Sequence, residues 1–124
     1  MAGRVSYGTG KSLAEQAAEY IRANSEKKFS LSEIAGELYI NGNYLARLFK
    51  KETGHTLLWY HNAVRCEKGA QLLRETKESV SGIGERLGYV STAHFSHVFK
   101  KMKGCSPSRY RDKARQEQEG NSPV

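Results

Sequence analysis

Apolar residues recur at intervals of three and four along most of this chain, the spacing that lines one face of an α-helix. A first helix is predicted from about Ser12. Glu15, three residues on, completes a capping box, and Leu13, Ala17, Tyr20 and Ile21 then share a face. Ser30 with Glu33 reads as a second capping box, opening a short helix that carries Leu31, Ile34, Ala35 and Leu38. Tyr39-Ile40-Asn41-Gly42 interrupts the pattern, with Asn41 placed to cap the next helix. That helix turns Leu45, Leu48 and Phe49 inward and stops at Gly54. Residues 57–75 form a longer helix, in which Trp59 and Tyr60 are read as core. Strand-like alternation is scarce and the only prolines are Pro107 and Pro123, so the expected fold class is all-α.

The pattern then starts again. Ser30, Ser32, Ile34 and Leu38 match Ser79, Ser81, Ile83 and Leu87 at an offset of 49. Beyond the turn the offset becomes 50: Phe49-Lys50-Lys51 matches Phe99-Lys100-Lys101, Gly54 matches Gly104, Tyr60 matches Tyr110 and Arg65 matches Arg115. The slip falls in a turn, where an insertion is best tolerated. Two copies are too few for a solenoid, which needs at least three. The expected organisation is a flexible leader (1–10), a first subdomain (11–56), a linker helix (57–77), a second subdomain (78–116) and a polar tail (117–124), about seven helices in all.

Each copy has a helix, a tight turn and a second helix with two contrasting faces, as a helix-turn-helix requires. In residues 41–52, Asn43, Ala46, Arg47 and Lys50 lie opposite the packing stripe. Arg47 suits guanine O6 and N7, Asn43 suits adenine N6 and N7, and the small Ala46 permits close approach. In residues 91–103, Ser91 or Thr92 caps the helix, and Phe95, Val98, Phe99 and Met102 face inward. Thr92, Ala93, Ser96, His97 and Lys100 face outward; Thr92 and Ser96 are short polar readers, and His97 can donate to or accept from a base edge. Lys51 and Lys101 suit phosphates, which position a protein without carrying sequence information. Arg109 and Arg111 follow a helix start at Ser106-Pro107 that is also suited to a phosphate.

Charge strengthens this reading. Lys and Arg number 20 against 13 acidic residues, a formal charge of +7, which favours a polyanionic partner. No apolar stretch approaches the roughly 18 residues that span a bilayer, so no membrane insertion is expected. Cys66 and Cys105 are isolated and read as reduced.

The segment YLARLFKKETG, a long helix, and then IGERLGYVSTAHFSHVFKKMKGCSPSRYR resemble the signature of the AraC/XylS family of bacterial transcription regulators, over about residues 11–115. The first half, LYINGNYLARLFKKETG, is similar to versions at the C-termini of some two-component response regulators. The resemblance implies two helix-turn-helix subdomains joined by one long helix, with recognition helices near 42–52 and 92–103. It implies base contacts from Asn43, Ala46 and Arg47, and from Thr92, Ala93, Ser96 and His97. Lys50, Lys51, Lys100, Lys101, Arg109 and Arg111 are then the expected phosphate contacts. His97 stands where the family usually has Arg, His94 replaces a common aromatic, Gly84 a usual Ala, and Leu57 a common Pro.

The expected partners are double-stranded DNA and RNA polymerase, in the cytoplasm of a bacterium and on its nucleoid when bound. An effector or receiver domain is expected in the full-length protein. No enzyme, cofactor or metal is expected. Gly10-Lys11-Ser12 resembles the end of a phosphate-binding loop, but Val5 stands where that motif needs glycine. His94 and His97 lack adjacent carboxylate or thiolate ligands in sequence. The competing class is a helical protein–protein interaction module whose basic charge is incidental.

Overall fold

Short polar side chains set where most of the helices begin. The computed structural model describes residues 10–120. Leader residues 1–9 and tail residues 121–124 lie outside the described residues. The helices are α1 (Leu13–Ala23), α2 (Leu31–Glu37), α3 (Gly42–Thr53), α4 (Leu57–Glu75), α5 (Val80–Arg86), α6 (Thr92–Lys103) and α7 (Pro107–Gly120), with no strand among the described residues. The chain is all-α.

The capping box at Ser12 forms in full, with Glu15 N donating to Ser12 Oγ and Ser12 N donating to Glu15 Oε1, both at 3.1 Å. At Ser30 only half of the expected box forms: Glu33 N donates to Ser30 Oγ at 3.2 Å, and the return bond from the Ser30 backbone is absent among the described residues. Asn41 caps α3 through Oδ1, and Ser91, rather than Thr92, caps α6. Thr56 and Ser106 do the same for α4 and α7. Gly54 and Gly104 end the recognition helices in the left-handed conformation, at φ 81° and 86°. Helix α7 continues through residues 117–120, where the tail is expected to start; Glu117 and Gln118 are good helix formers.

The chain divides into two compact units with the boundary between Val64 and Arg65, inside α4. Unit 1 packs α1, α2 and α3 with the start of α4 around Ile21, Ile34, Leu45, Phe49 and Leu57. Unit 2 packs the rest of α4 with α5, α6 and α7 around Leu73, Ile83, Leu87, Phe95 and Phe99. Burying one such side chain fully is worth about 1.5–3 kcal/mol, so the large residues dominate each core.

The two units repeat one another in detail. Phe49 meets Tyr60 edge-on at 5.8 Å, and Phe99 meets Tyr110 at 5.4 Å. Arg22 Nη1 donates to the Tyr60 hydroxyl and Arg74 Nη1 to the Tyr110 hydroxyl, each at 2.6 Å. The second half of α4 therefore does for unit 2 what α1 does for unit 1. Ala14, Ala17 and Ile21 have their counterparts in Cys66, Gly69 and Leu73.

Candidate nucleic-acid interface

Each helix-turn-helix turn is closed by the same pair of backbone bonds. In unit 1, Tyr39 N donates to Gly36 O (3.2 Å) and Ile40 N to Ala35 O (3.0 Å). In unit 2, Gly88 N donates to Glu85 O and Tyr89 N to Gly84 O, both at 3.0 Å. This is the paired pattern of a Schellman motif, which needs a left-handed residue after the helix cap. Tyr39 (φ 56°) and Gly88 (φ 96°) fill that place. The extra residue of the second turn is Val90, 91% exposed, where an insertion disturbs no core.

Recognition helix α3 buries Leu45 and Phe49 and leaves Asn43, Arg47, Lys50 and Lys51 exposed, with Ala46 half-buried between them. Recognition helix α6 buries Phe95 and Phe99 and leaves Thr92, Ala93, His97, Lys100 and Lys101 exposed, with Ser96 half-buried. Each unit thus gathers its expected base-reading residues on one outward face. The flanking cations have no ion-pair partner among the described residues. Helix α6 contains no carboxylate, and α3 contains only Glu52 in its last turn. Cationic side chains therefore outnumber carboxylates on both recognition helices.

The C-terminal helix divides its two arginines. Arg109 is exposed. Arg111 is half-buried, its Nε donating to Leu73 O (3.0 Å) and an Nη to Thr76 O (3.2 Å). Arg111 was expected at phosphate; its guanidinium instead satisfies carbonyls at the end of α4, which a helix C-terminus leaves open. His61, its counterpart in unit 1, does similar work, with Nε2 donating to Lys27 O at 3.2 Å.

Tyr44 and His94 were not among the expected contacts. Tyr44 is 45% exposed, and its spacing puts it in a stripe with Arg47 and Lys51. His94 is exposed in the matching stripe with His97 and Lys101, and its ring meets Tyr89 edge-on at 5.3 Å. The i, i+3, i+7 spacing was the available signal. Trp59, read as core, is 39% exposed and stacks on His55 at 3.7 Å between ring centroids. Among the described residues no three His, Cys, Asp or Glu side chains gather as metal ligands, and no helix is long and apolar enough to cross a membrane.

Two helix-turn-helix units, each with an exposed, cation-flanked second helix, define the class as a tandem helix-turn-helix module. The family described as "Helix-turn-helix domain" matches residues 34–113, more than half of the chain. The chain is 34% identical over 105 residues to the uncharacterized HTH-type transcriptional regulator YtdP of Bacillus subtilis, covering 85% of this chain and 14% of that protein. It is similar to the C-terminal domain of AraT, a response regulator from Geobacillus stearothermophilus (32% identity, TM-score 0.79, covering 86% of this chain and 88% of that one). It is also similar to a Chromobacterium violaceum transcriptional regulator described as having an AraC-type DNA-binding domain (29% identity, TM-score 0.78, 84% and 93% covered). The chain belongs to the AraC/XylS family of helix-turn-helix transcription regulators. It spans 14% to 34% of the length of the first curated relatives it matches.

Proposed function

We propose that this chain binds double-stranded DNA sequence-specifically, as the output domain of a bacterial transcription regulator. The observation that carries this reading is the recognition face built twice: Asn43, Ala46 and Arg47 on α3, and Thr92, Ala93, Ser96 and His97 on α6. In this reading each unit lays its second helix in a major groove, and the two half-sites are centred roughly 10 bp apart, about 34 Å along the duplex. Lys50, Lys51, Lys100, Lys101 and Arg109 hold phosphates. Arg111 leaves that set, because its donors serve the end of α4. Arg47 discriminates guanine, while His97 donates to or accepts from a base edge.

The likeness to the C-terminal domain of a response regulator is compatible with a receiver or effector domain elsewhere in the full-length protein. RNA polymerase as the second partner, and a place in the cytoplasm and on the nucleoid, belong to the same proposal. We assign the chain no catalytic role and no cofactor.

Selection of bound duplexes from a random-sequence library, at near-physiological salt, tests the reading. Two short motifs enriched at a fixed spacing near one helical turn are expected. A single enriched motif would leave one unit gripping only the backbone. No enrichment, with binding that merely follows ionic strength, would overturn sequence-specific binding and favour the protein-interaction class.

A further inference from the structure

The repeat sets the same carboxylate in both units and gives it a cation in only one. In unit 2, Lys103, the last residue of α6, is bonded to Glu67. The register that matches Ala14, Ala17 and Ile21 with Cys66, Gly69 and Leu73 puts Glu15 of unit 1 at the place of Glu67. The register of the recognition helices puts Thr53 at the place of Lys103. Thr53 is short, uncharged and committed to the end of α3: its hydroxyl donates to Phe49 O at 2.7 Å and accepts from His55 N at 3.1 Å. Glu15 is exposed, and its Oε1 accepts from Ser12 N. It has no ion-pair partner among the described residues, whereas Glu19, one turn on, is already bonded to Lys11.

In place of the cation, unit 1 has space and an aromatic surface. Glu15 and Thr53 line one groove of about 290 Å³, together with Ala18, Phe49 and Trp59, and its lining is mostly apolar. Trp59 stands where unit 2 has the exposed Arg109, so a second cation of unit 2 is replaced, here by an indole. Trp59 is itself exposed and is held flat against His55, with 10° between the ring planes. An indole attracts cations, and a carboxylate without a cation beside it does so more strongly. Apolar lining suits the methylene stem that carries such a charge. The same carboxylate disfavours phosphate, so DNA is not the occupant this groove fits.

We propose that this groove docks a protein partner through an inserted arginine side chain, which does for Glu15 in trans what Lys103 does for Glu67 within unit 2. The guanidinium pairs with the Glu15 carboxylate, and its stem lies along Ala18, Phe49 and Trp59. Arginine suits the place better than lysine, because its planar head both pairs with a carboxylate and stacks on an aromatic ring. The inference goes beyond DNA binding and does not depend on it.

Trp59 is the single tryptophan of the chain, so its fluorescence reports on the groove directly. The test titrates the full 124-residue chain, without DNA, with a capped tripeptide of arginine flanked by leucines, and with the same peptide carrying neutral citrulline in place of arginine. A saturable change in Trp59 fluorescence is expected with the arginine peptide, and binding weaker by roughly tenfold with the citrulline peptide, as for loss of a charged pair. Glu15→Gln, which a capping box tolerates, is expected to weaken the arginine peptide by a similar factor. Thr53→Lys copies the helix end of unit 2 and is expected to abolish the response by supplying the cation from within. Circular dichroism checks that both variants fold, and the contrast between the two peptides needs no variant. No saturable change at millimolar peptide overturns the proposal, as do equal affinities for the two peptides or unchanged affinity in either folded variant. Because no duplex is present, failure here is distinct from failure of the DNA reading.

Discussion

Arg47 and Lys51 lie four residues apart on the same exposed side of α3, yet different consequences follow from removing each. A guanidinium bidentate to guanine discriminates one base, so Arg47→Ala is expected to cost about 1–3 kcal/mol on the selected site and to relax preference at one position. A Lys on phosphate carries no such information, so Lys51→Ala is expected to weaken selected and scrambled duplexes equally. Quantitative binding to single-base variants of the site separates the two. The buried pair Cys66 and Tyr89 gives a residue-scale prediction about stability. Burial pushes the Cys66 thiol above its ordinary value of 9.0, against the pull of the Tyr89 hydroxyl and the Lys103 charge. Burial also pushes the Tyr89 hydroxyl up, with Cys66 beside it adding to the shift. Both groups are thus held neutral in the folded state. Their contribution is complete below the unfolded values and is lost as pH rises through them, because the unfolded chain ionises first. The thermal midpoint is expected to fall above about pH 9, and Cys66→Ala, which copies Ala14 of unit 1, is expected to flatten the first part of that fall. Single residues were also where the sequence was least legible. Arg111 and Arg109 look alike in sequence, and only the nearby carbonyls of Leu73 and Thr76 distinguish them. Trp59 has the hydrophobicity of a core residue, but it stacks on His55 at the surface.

At the scale of elements the sequence was far more readable, because caps and turns are local chemistry. The caps at Ser12, Ser30, Asn41, Ser91 and Ser106 lie where the short polar side chains announced them, and the one-residue slip between the repeats lies in the turn at Val90. What local chemistry did not announce is that the second half of α4 repeats α1. That correspondence rests on small buried residues with no motif of their own, such as Ala17 and Gly69. The same region explains why unit 2 has glycine where unit 1 has alanine. A Cβ on Gly84 would stand 3.1–3.3 Å from Phe95, and one on Gly69 would stand 3.1 Å from Leu87 and 3.3 Å from the Phe95 ring. In unit 1 the matching positions hold Ala35 and Ala17, with the smaller Leu45 in place of Phe95. Volume has been traded across the packing of α5, α6 and α4. Overpacking against the fully buried Phe95 costs about 1–3 kcal/mol, and the better helix propensity of alanine offsets about 1 kcal/mol of it, so Gly84→Ala is expected to destabilise the chain by up to about 2 kcal/mol. Adding Phe95→Leu, which restores the unit 1 pairing, is expected to cost less than the sum of the two single changes. Urea unfolding of the single and double variants measures that coupling. Strict additivity would mean that the two positions do not compensate one another.

At the scale of the whole molecule, the duplicated face makes affinity an ionic as well as a chemical matter. With Lys50, Lys51, Lys100, Lys101 and Arg109 on phosphates, the logarithm of the binding constant should fall with the logarithm of salt with a slope of about −4 to −5. Replacing Lys51 and Lys101 together should make that slope shallower by about 2. The prediction particular to two reading units concerns phase along the duplex. Groove-facing positions recur about every 10 bp, so inserting roughly 5 bp between the two selected motifs puts them on opposite faces of the helix. If both units read bases, affinity on that duplex should fall to the level of a duplex carrying one motif, and the remaining binding should keep the single-base preferences of only one unit. An Arg47→Ala chain then decides which. If the residual binding comes from unit 1, the substitution weakens it further on the phase-shifted duplex. If it comes from unit 2, through Ser96 and His97, the substitution changes only the binding to the correctly spaced site.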